Sequence, residues 1–138
     1  MQFFTFGYGG RPPAEFIRLL ASRSIKTVVD VRLRPDKASL GAYCKAKTAD
    51  KGIEALIASE GIGYQSLIEL GNVFLGEPEW PRLYSELIEK GGRLLTRRLS
   101  EVPRPFCLLC AEKRVADCHR RIIADFLVTQ GDEAIHLE

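Results

Sequence analysis

The residues best able to do chemistry in this chain lie between Pro105 and Arg121. An apolar run, 106–110, is followed by three charged residues, 112–114, and then by Cys118, His119 and two arginines. Thiols, an imidazole and guanidinium groups can act as nucleophiles, metal ligands, proton carriers or anion-binding donors. This segment is therefore the first candidate for a functional site.

The same segment predicts a strand that leads into a helix. Residues 105–110 have the length and flanks of a buried strand, and Asp117 can cap a helix over 117–128. The apolar positions with helical spacing are Ile122, Ile123, Phe126 and Leu127. Polar groups thus gather between the carboxyl end of a strand and the amino end of a helix, where open α/β sheets bind ligands.

The rest of the chain alternates strand-like and helix-like segments. Further strands are predicted at 2–8, 25–31, 63–68 and 132–137, and helices after Pro12, over 49–60 and from Trp80 to Gly91 and Gly92. This alternation predicts right-handed βαβ units. We expect an α/β fold, a three-layer αβα arrangement with a mostly parallel sheet of about five strands, as a single domain over 1–138.

Composition limits the classes of function. With 138 residues, 46% of them hydrophobic, the chain can bury the core of one globular domain, and its formal charge of +2 is too small for bulk nucleic-acid binding. No segment has the apolar length of a membrane span, so we expect no membrane partner and a cytoplasmic location. The four cysteines are then expected to be thiols, with no structural disulfide.

Several polar residues follow different predicted strands. The carboxyl ends of parallel strands share one edge of the sheet, so residues distant in sequence are expected to meet there. They are Tyr8, Asp30, Arg32, Glu69, Glu112 and Lys113. The glycine loop that begins at Gly7 can present backbone N–H groups to a phosphate, or can simply form a tight strand-to-helix turn.

Two tetrapeptides near the carboxyl terminus, 110–113 and 118–121, resemble the signature of the bacterial and archaeal domain-of-unknown-function 488 family. They read Cys110-Ala111-Glu112-Lys113 and Cys118-His119-Arg120-Arg121. Three further segments fit in the same order: Thr5 to Tyr8, Val29 to Arg32 and Glu69 to Gly71. The loop 9–12 departs, because a small polar residue often stands there. The resemblance implies a small αβα domain and no accepted reaction.

Thiol and metal chemistry are alternatives for Cys110, Cys118 and His119. A phosphatase-type loop needs an arginine six positions after its cysteine, and residue 116 is Ala. With Cys107, the three residues superficially resemble a zinc set, but Cys107 and Cys110 should point to opposite faces of a strand. We therefore predict no stoichiometric zinc. A carboxylate site for Mg²⁺ built from Asp30, Glu69 and Glu112 is a further alternative, so no cofactor is assigned and a divalent metal stays open.

Anion recognition requires fewer specially placed groups than the thiol and metal alternatives. Arg120 and Arg121 in the first turn of the predicted helix add positive charge to a helix dipole that already favours phosphate. Lys113, Arg114 and Arg32 should lie nearby. We predict that Arg120 binds the anion and that Arg121 braces the site.

The sequence thus predicts binding of a phosphate-bearing ligand, a nucleotide or a nucleic acid, at the carboxyl edge of the sheet. A hydrolase or transferase would use Glu112, His119 and Asp30 as catalytic residues, with Glu112 and His119 in proton transfer. The predicted ligand contacts are Gly7, Tyr8, Arg32, Glu69, Lys113, Cys110, Cys118, Arg120 and Arg121. The alternative is a non-catalytic binding module, and the oligomeric state stays open.

Overall fold

The computed structural model describes residues 1–138 and contains five strands and four α-helices. The strands are β1 (Gln2–Gly7), β2 (Thr27–Asp30), β3 (Gly63–Ser66), β4 (Phe106–Cys110) and β5 (Glu133–Leu137). The helices are α1 (Pro13–Ser22), α2 (Gly52–Ala58), α3 (Trp80–Leu95) and α4 (Arg120–Thr129). Short 3₁₀ turns lie between several of these elements.

All five strands belong to one sheet in the order β3-β2-β4-β1-β5, and every neighbouring pair is parallel. The predicted α/β fold with a parallel sheet of five strands is confirmed. Strand β4 lies at the centre and is buried along its whole length. Because it is covered on both faces, its sequence is a continuous apolar run and not an alternating one.

Two apolar clusters fill the spaces on either side of the sheet. Helices α3 and α4 cover one face, and α1 and α2 cover the other. Strand β4 divides its side chains between them, with Cys110 in the first cluster and Cys107 in the second. The prediction that these cysteines face opposite sides is confirmed. Cys110 consequently points toward the side of the sheet that α4 covers.

The loop after β1 packs against the turn after β4. Tyr8 N–H donates to Cys110 O at 3.1 Å, and Gly9 N–H donates to Ala111 O at 2.9 Å. A Cβ atom on Gly7 would overlap the carbonyl oxygen of Glu112. Gly7 is thus required for the close approach of two backbones, and no ligand contact is needed to explain it.

None of the four helices combines the length and the apolar character needed to cross a membrane.

Candidate functional site

A cavity of about 380 Å³ opens at the carboxyl ends of β2 and β4. Four parts of the chain line it: Tyr8; Arg32, Leu33, Arg34 and Lys37; Asn72, Leu75 and Trp80; and Cys110, Ala111, Glu112, Asp117, Cys118 and His119. The cavity lies where parallel α/β sheets bind ligands. It combines cationic, apolar and metal-ligating side chains.

Asp30 and Arg32 form a buried ion pair beside this cavity. Asp30 is fully buried, and Arg32 donates to its two carboxylate oxygens at 2.9 and 2.6 Å. Arg32 also donates to Tyr8 Oη at 3.1 Å and to Tyr43 O at 2.8 Å, and Tyr64 Oη donates to Asp30. Burial and the charge of Asp30 raise the pKa of Tyr64. Both oxygens of Asp30 are engaged, so the structure does not show the free carboxylate that a catalytic base requires.

Arg120 is fully buried and makes no contact with the cavity. Its Nη1 donates to Glu112 O at 2.6 Å, its Nη2 to Lys113 O at 3.2 Å and its Nε to Thr5 Oγ1 at 3.4 Å. Burial lowers the pKa of Arg120. Arg121 is exposed. The prediction that Arg120 binds and Arg121 braces is therefore wrong, because the side chain of Arg120 extends back toward the strand ends, as side chains in a first helical turn do.

Cys110 and Cys118 meet at the floor of the cavity, and their sulfur atoms are in disulfide contact. The prediction of no disulfide is therefore wrong for this structure. A 3₁₀ turn over Val115–Asp117 reverses the chain after β4 and returns Cys118 to the end of that strand. Spacing in sequence did not reveal this reversal, since residues 114–117 carry no glycine or proline to mark a turn.

His119 is buried beside these cysteines. Its Nε2 lies 2.8 Å from Val31 O, and because a carbonyl only accepts, Nε2 carries the proton. Its Nδ1 is 3.8 Å from Cys118 Sγ, and its ring packs edge-on to Tyr84. Burial lowers the pKa of His119, so the neutral ring is favoured. Nε2–H is engaged with Val31 O, so only the unprotonated Nδ1, beside Cys118 Sγ, is left for the proton transfer predicted for this residue.

The profile of the family described as Domain of unknown function DUF488 matches residues 12–127, most of the chain. The chain belongs to the DUF488 family. No curated protein and no solved structure matches it. Every residue lining the cavity except Tyr8 falls within the matched range.

The remaining predicted residues of this DUF488 protein do not all converge. Glu112 lines the cavity and is exposed, whereas Lys113 is exposed and lies outside it. Glu69 forms an ion pair with Arg98 at 3.1 Å and also lies outside the cavity. With Asp30 paired to Arg32, the three carboxylates proposed for Mg²⁺ do not form a common site.

Sequence reasoning left other lining residues of the DUF488 chain out of the site. Arg34 and Lys37 lie in a basic loop after β2, and its excess of cations is the signal that the sequence offered for them. Trp80 fits the apolar stripe of α3, and it does pack against the core while part of its surface lines the cavity. Asn72 and Leu75 lie in an irregular loop whose sequence gives no such signal.

Proposed function

We propose that this protein binds a phosphate-bearing small molecule, with a nucleotide as the best candidate, in the cavity at the carboxyl edge of the sheet. The observation that supports this is the cavity itself, about 380 Å³ in volume, with cationic groups and an aromatic side chain in one lining. Small-molecule sites have volumes of about 300–1,000 Å³ and combine apolar walls with a few polar groups.

Arg34 and Lys37 supply the positive charge available to a ligand. Both are exposed at the rim of the cavity, and Arg34 is held only by the exposed carboxylate of Asp36. Exposed pairs of this kind are weak, so a phosphate can replace Asp36 at small cost. Arg32 is different, because its charge is already balanced by Asp30. Affinity for an anion should thus depend on Arg34 and Lys37.

Trp80 and Asn72 suit the uncharged part of such a ligand. Trp80 is half-buried and lines the cavity, so a base or another flat ring can stack on it. Asn72 is buried, and its Oδ1 accepts from Phe74 N–H at 3.0 Å. Its amide NH₂ group stays available to an acceptor on the ligand.

The proposal concerns binding rather than a reaction. Of the three predicted catalytic residues, only Glu112 combines an unpaired carboxylate with a place on the cavity lining. A nucleic acid is the second candidate, but a formal charge of +2 and a concave site favour a small molecule. Location in the cytoplasm stays a prediction.

A thermal-shift screen over nucleotides, inorganic phosphate and short DNA and RNA identifies the ligand class, since a ligand specific for the folded state raises the melting temperature. Calorimetry then compares the wild type with the double variant Arg34→Ala, Lys37→Ala. We expect the double variant to bind at least about tenfold more weakly, because hydrogen bonds to charged groups are the stronger class.

The matched control is Lys90→Ala, Arg93→Ala, which removes two exposed cations of α3 that lie outside the cavity. It should retain the affinity of the wild type. If both double variants bind the nucleotide equally weakly, the loss of affinity reflects net charge and not the cavity. Tighter binding of DNA or RNA than of any nucleotide would favour a nucleic acid as the ligand.

A further inference from the structure

The cluster of Cys110, Cys118 and His119 carries a second inference. We propose that, with its cysteines reduced, this cluster binds one divalent metal ion of the zinc class. The two sulfurs and a ring nitrogen of His119 all lie within 4.8 Å of one another, and all three residues are buried. Two thiolates and one imidazole form a donor set that zinc prefers over the hard cations Mg²⁺ and Ca²⁺.

His119 is oriented as a metal ligand. Its Nε2–H group donates to Val31 O at 2.8 Å, which leaves the lone pair of Nδ1 directed to the side of Cys118 Sγ, 3.8 Å away. Ligating histidines characteristically donate their other ring N–H to a backbone carbonyl or carboxylate, which fixes the tautomer.

The surroundings of the two sulfurs suit thiolates. The backbone N–H of Arg120 donates to Cys118 Sγ at 3.4 Å, and its Nη1 lies 3.8 Å from Cys110 Sγ. Arg120 is fully buried, and the hydrogen bonds of its guanidinium include no carboxylate. A buried positive charge needs a negative partner nearby. Thiolates at Cys110 and Cys118 supply that charge.

The backbone spacing also accommodates an ion. The Cα atoms of Cys110 and Cys118 are 7.4 Å apart. Disulfides usually span about 4.4–6.8 Å between Cα atoms, whereas an ion between the sulfurs bridges a wider gap. Spacing in sequence argued against zinc because Cys107 faces the other side of the sheet, but the three donors converge without Cys107.

All three ligand residues line the cavity, so the fourth position of a tetrahedral ion would face it. Zinc sites with three protein ligands keep such a position for water or a ligand atom. This inference does not depend on the proposed function. If both hold, the ion lies at the floor of the cavity and the cations Arg34 and Lys37 lie at its rim.

The experiment uses the metal alone, without nucleotide. The full chain is reduced, freed of metal under anaerobic conditions and titrated with Co²⁺, followed by competition with Zn²⁺. We expect a thiolate-to-cobalt charge-transfer band that saturates at one ion per chain and disappears as zinc displaces cobalt.

Cys118→Ser and His119→Gln should each weaken metal binding by at least about 100-fold, since even outer partners of a metal site contribute about 10–100-fold. Cys44→Ser is the matched control, because Cys44 is a free, half-buried cysteine outside the cluster.

A measurement on the wild type covers the case in which a buried variant fails to fold. Zinc should protect Cys110 and Cys118 from alkylation, read by mass spectrometry, while Cys44 reacts equally with and without zinc. The proposal is overturned if reduced, folded protein shows no saturable cobalt band, if folded Cys118→Ser binds the metal as tightly as the wild type, or if zinc gives no protection.

Discussion

Arg120 and Arg121 are adjacent in sequence, and the structure places them in opposite environments. Neighbours on a helix point about 100° apart, so only one of the two can face the sheet. Arg120 does so and donates to the carbonyls of Glu112 and Lys113, while Arg121 is exposed. The sequence predicted that the two would divide their work. It gave the bracing role to the wrong arginine, because Arg120 and not Arg121 shares the buried face of α4 with Ile123 and Leu127.

We expect Arg120→Lys to lower the free energy of unfolding by about 2 kcal/mol. A lysine lacks the forked guanidinium and cannot donate to both carbonyls at once. A buried carbonyl left without a donor costs about 1–3 kcal/mol. Arg121→Lys should stay within about 0.5 kcal/mol of the wild type. Urea unfolding of both variants is the measurement, and equal stabilities would contradict the bracing role of Arg120.

The chain also contains two Asp and Arg pairs at the same spacing. Asp30 and Arg32 are buried, whereas Arg34 and Asp36 are exposed. We expect Arg32→Met to cost about 3–5 kcal/mol of unfolding free energy, because it leaves the carboxylate of Asp30 buried without its cation. Arg34→Met should leave stability unchanged. Chemical denaturation of the two variants tests this, and a small effect of Arg32→Met would show that Asp30 finds another partner or takes up a proton.

At the scale of elements, the sequence predicted all five strands and all four helices, with errors at their ends. The pair Gly91 and Gly92 was taken as the end of the third helix, yet α3 continues to Leu95. Gly92 lies against the ring of Phe126 on α4, where a Cβ atom would come within 2.7 Å of ring carbons. This glycine lets two helices approach and does not end one. A single sequence cannot distinguish these roles, because the distinction depends on a residue more than thirty positions away.

The two glycines of α3 make a matched test. We expect Gly92→Ala to destabilise the protein by about 1–3 kcal/mol, because the added methyl group overpacks the contact with Phe126. Gly91→Ala should stabilise it by about 0.5–1 kcal/mol, since alanine favours a helix and its Cβ would meet Leu95 at an ordinary 3.7 Å. Thermal or urea unfolding measures both. A gain in stability for Gly92→Ala would mean that α3 and α4 are not closely packed.

At the scale of the whole molecule, the prediction that Asp30, Arg32 and Glu112 lie at one edge of the sheet is confirmed. It follows from the parallel pairing of β2 with β4, because the ends of parallel strands coincide. The other wall of the cavity, from Asn72 to Trp80, could not be predicted in this way. Its position depends on how an irregular loop crosses the edge, and no periodic pattern encodes that path. The sequence thus indicated the edge at which the cavity lies but gave only about half of its lining.

The most direct test of the proposed function is to map the nucleotide-binding residues from peak shifts in the ¹H–¹⁵N NMR spectrum of the labelled protein. Trp80 is the chain's one tryptophan, so its indole cross-peak is unambiguous and belongs to a residue that lines the cavity. We expect this peak and the amides of 32–34, 36–37 and 110–119 to shift together and saturate with one affinity, while amides at the opposite edge, near 24–26 and 131–133, stay in place. Absence of saturable shifts with any nucleotide, or shifts concentrated away from the cavity, would contradict the proposed function.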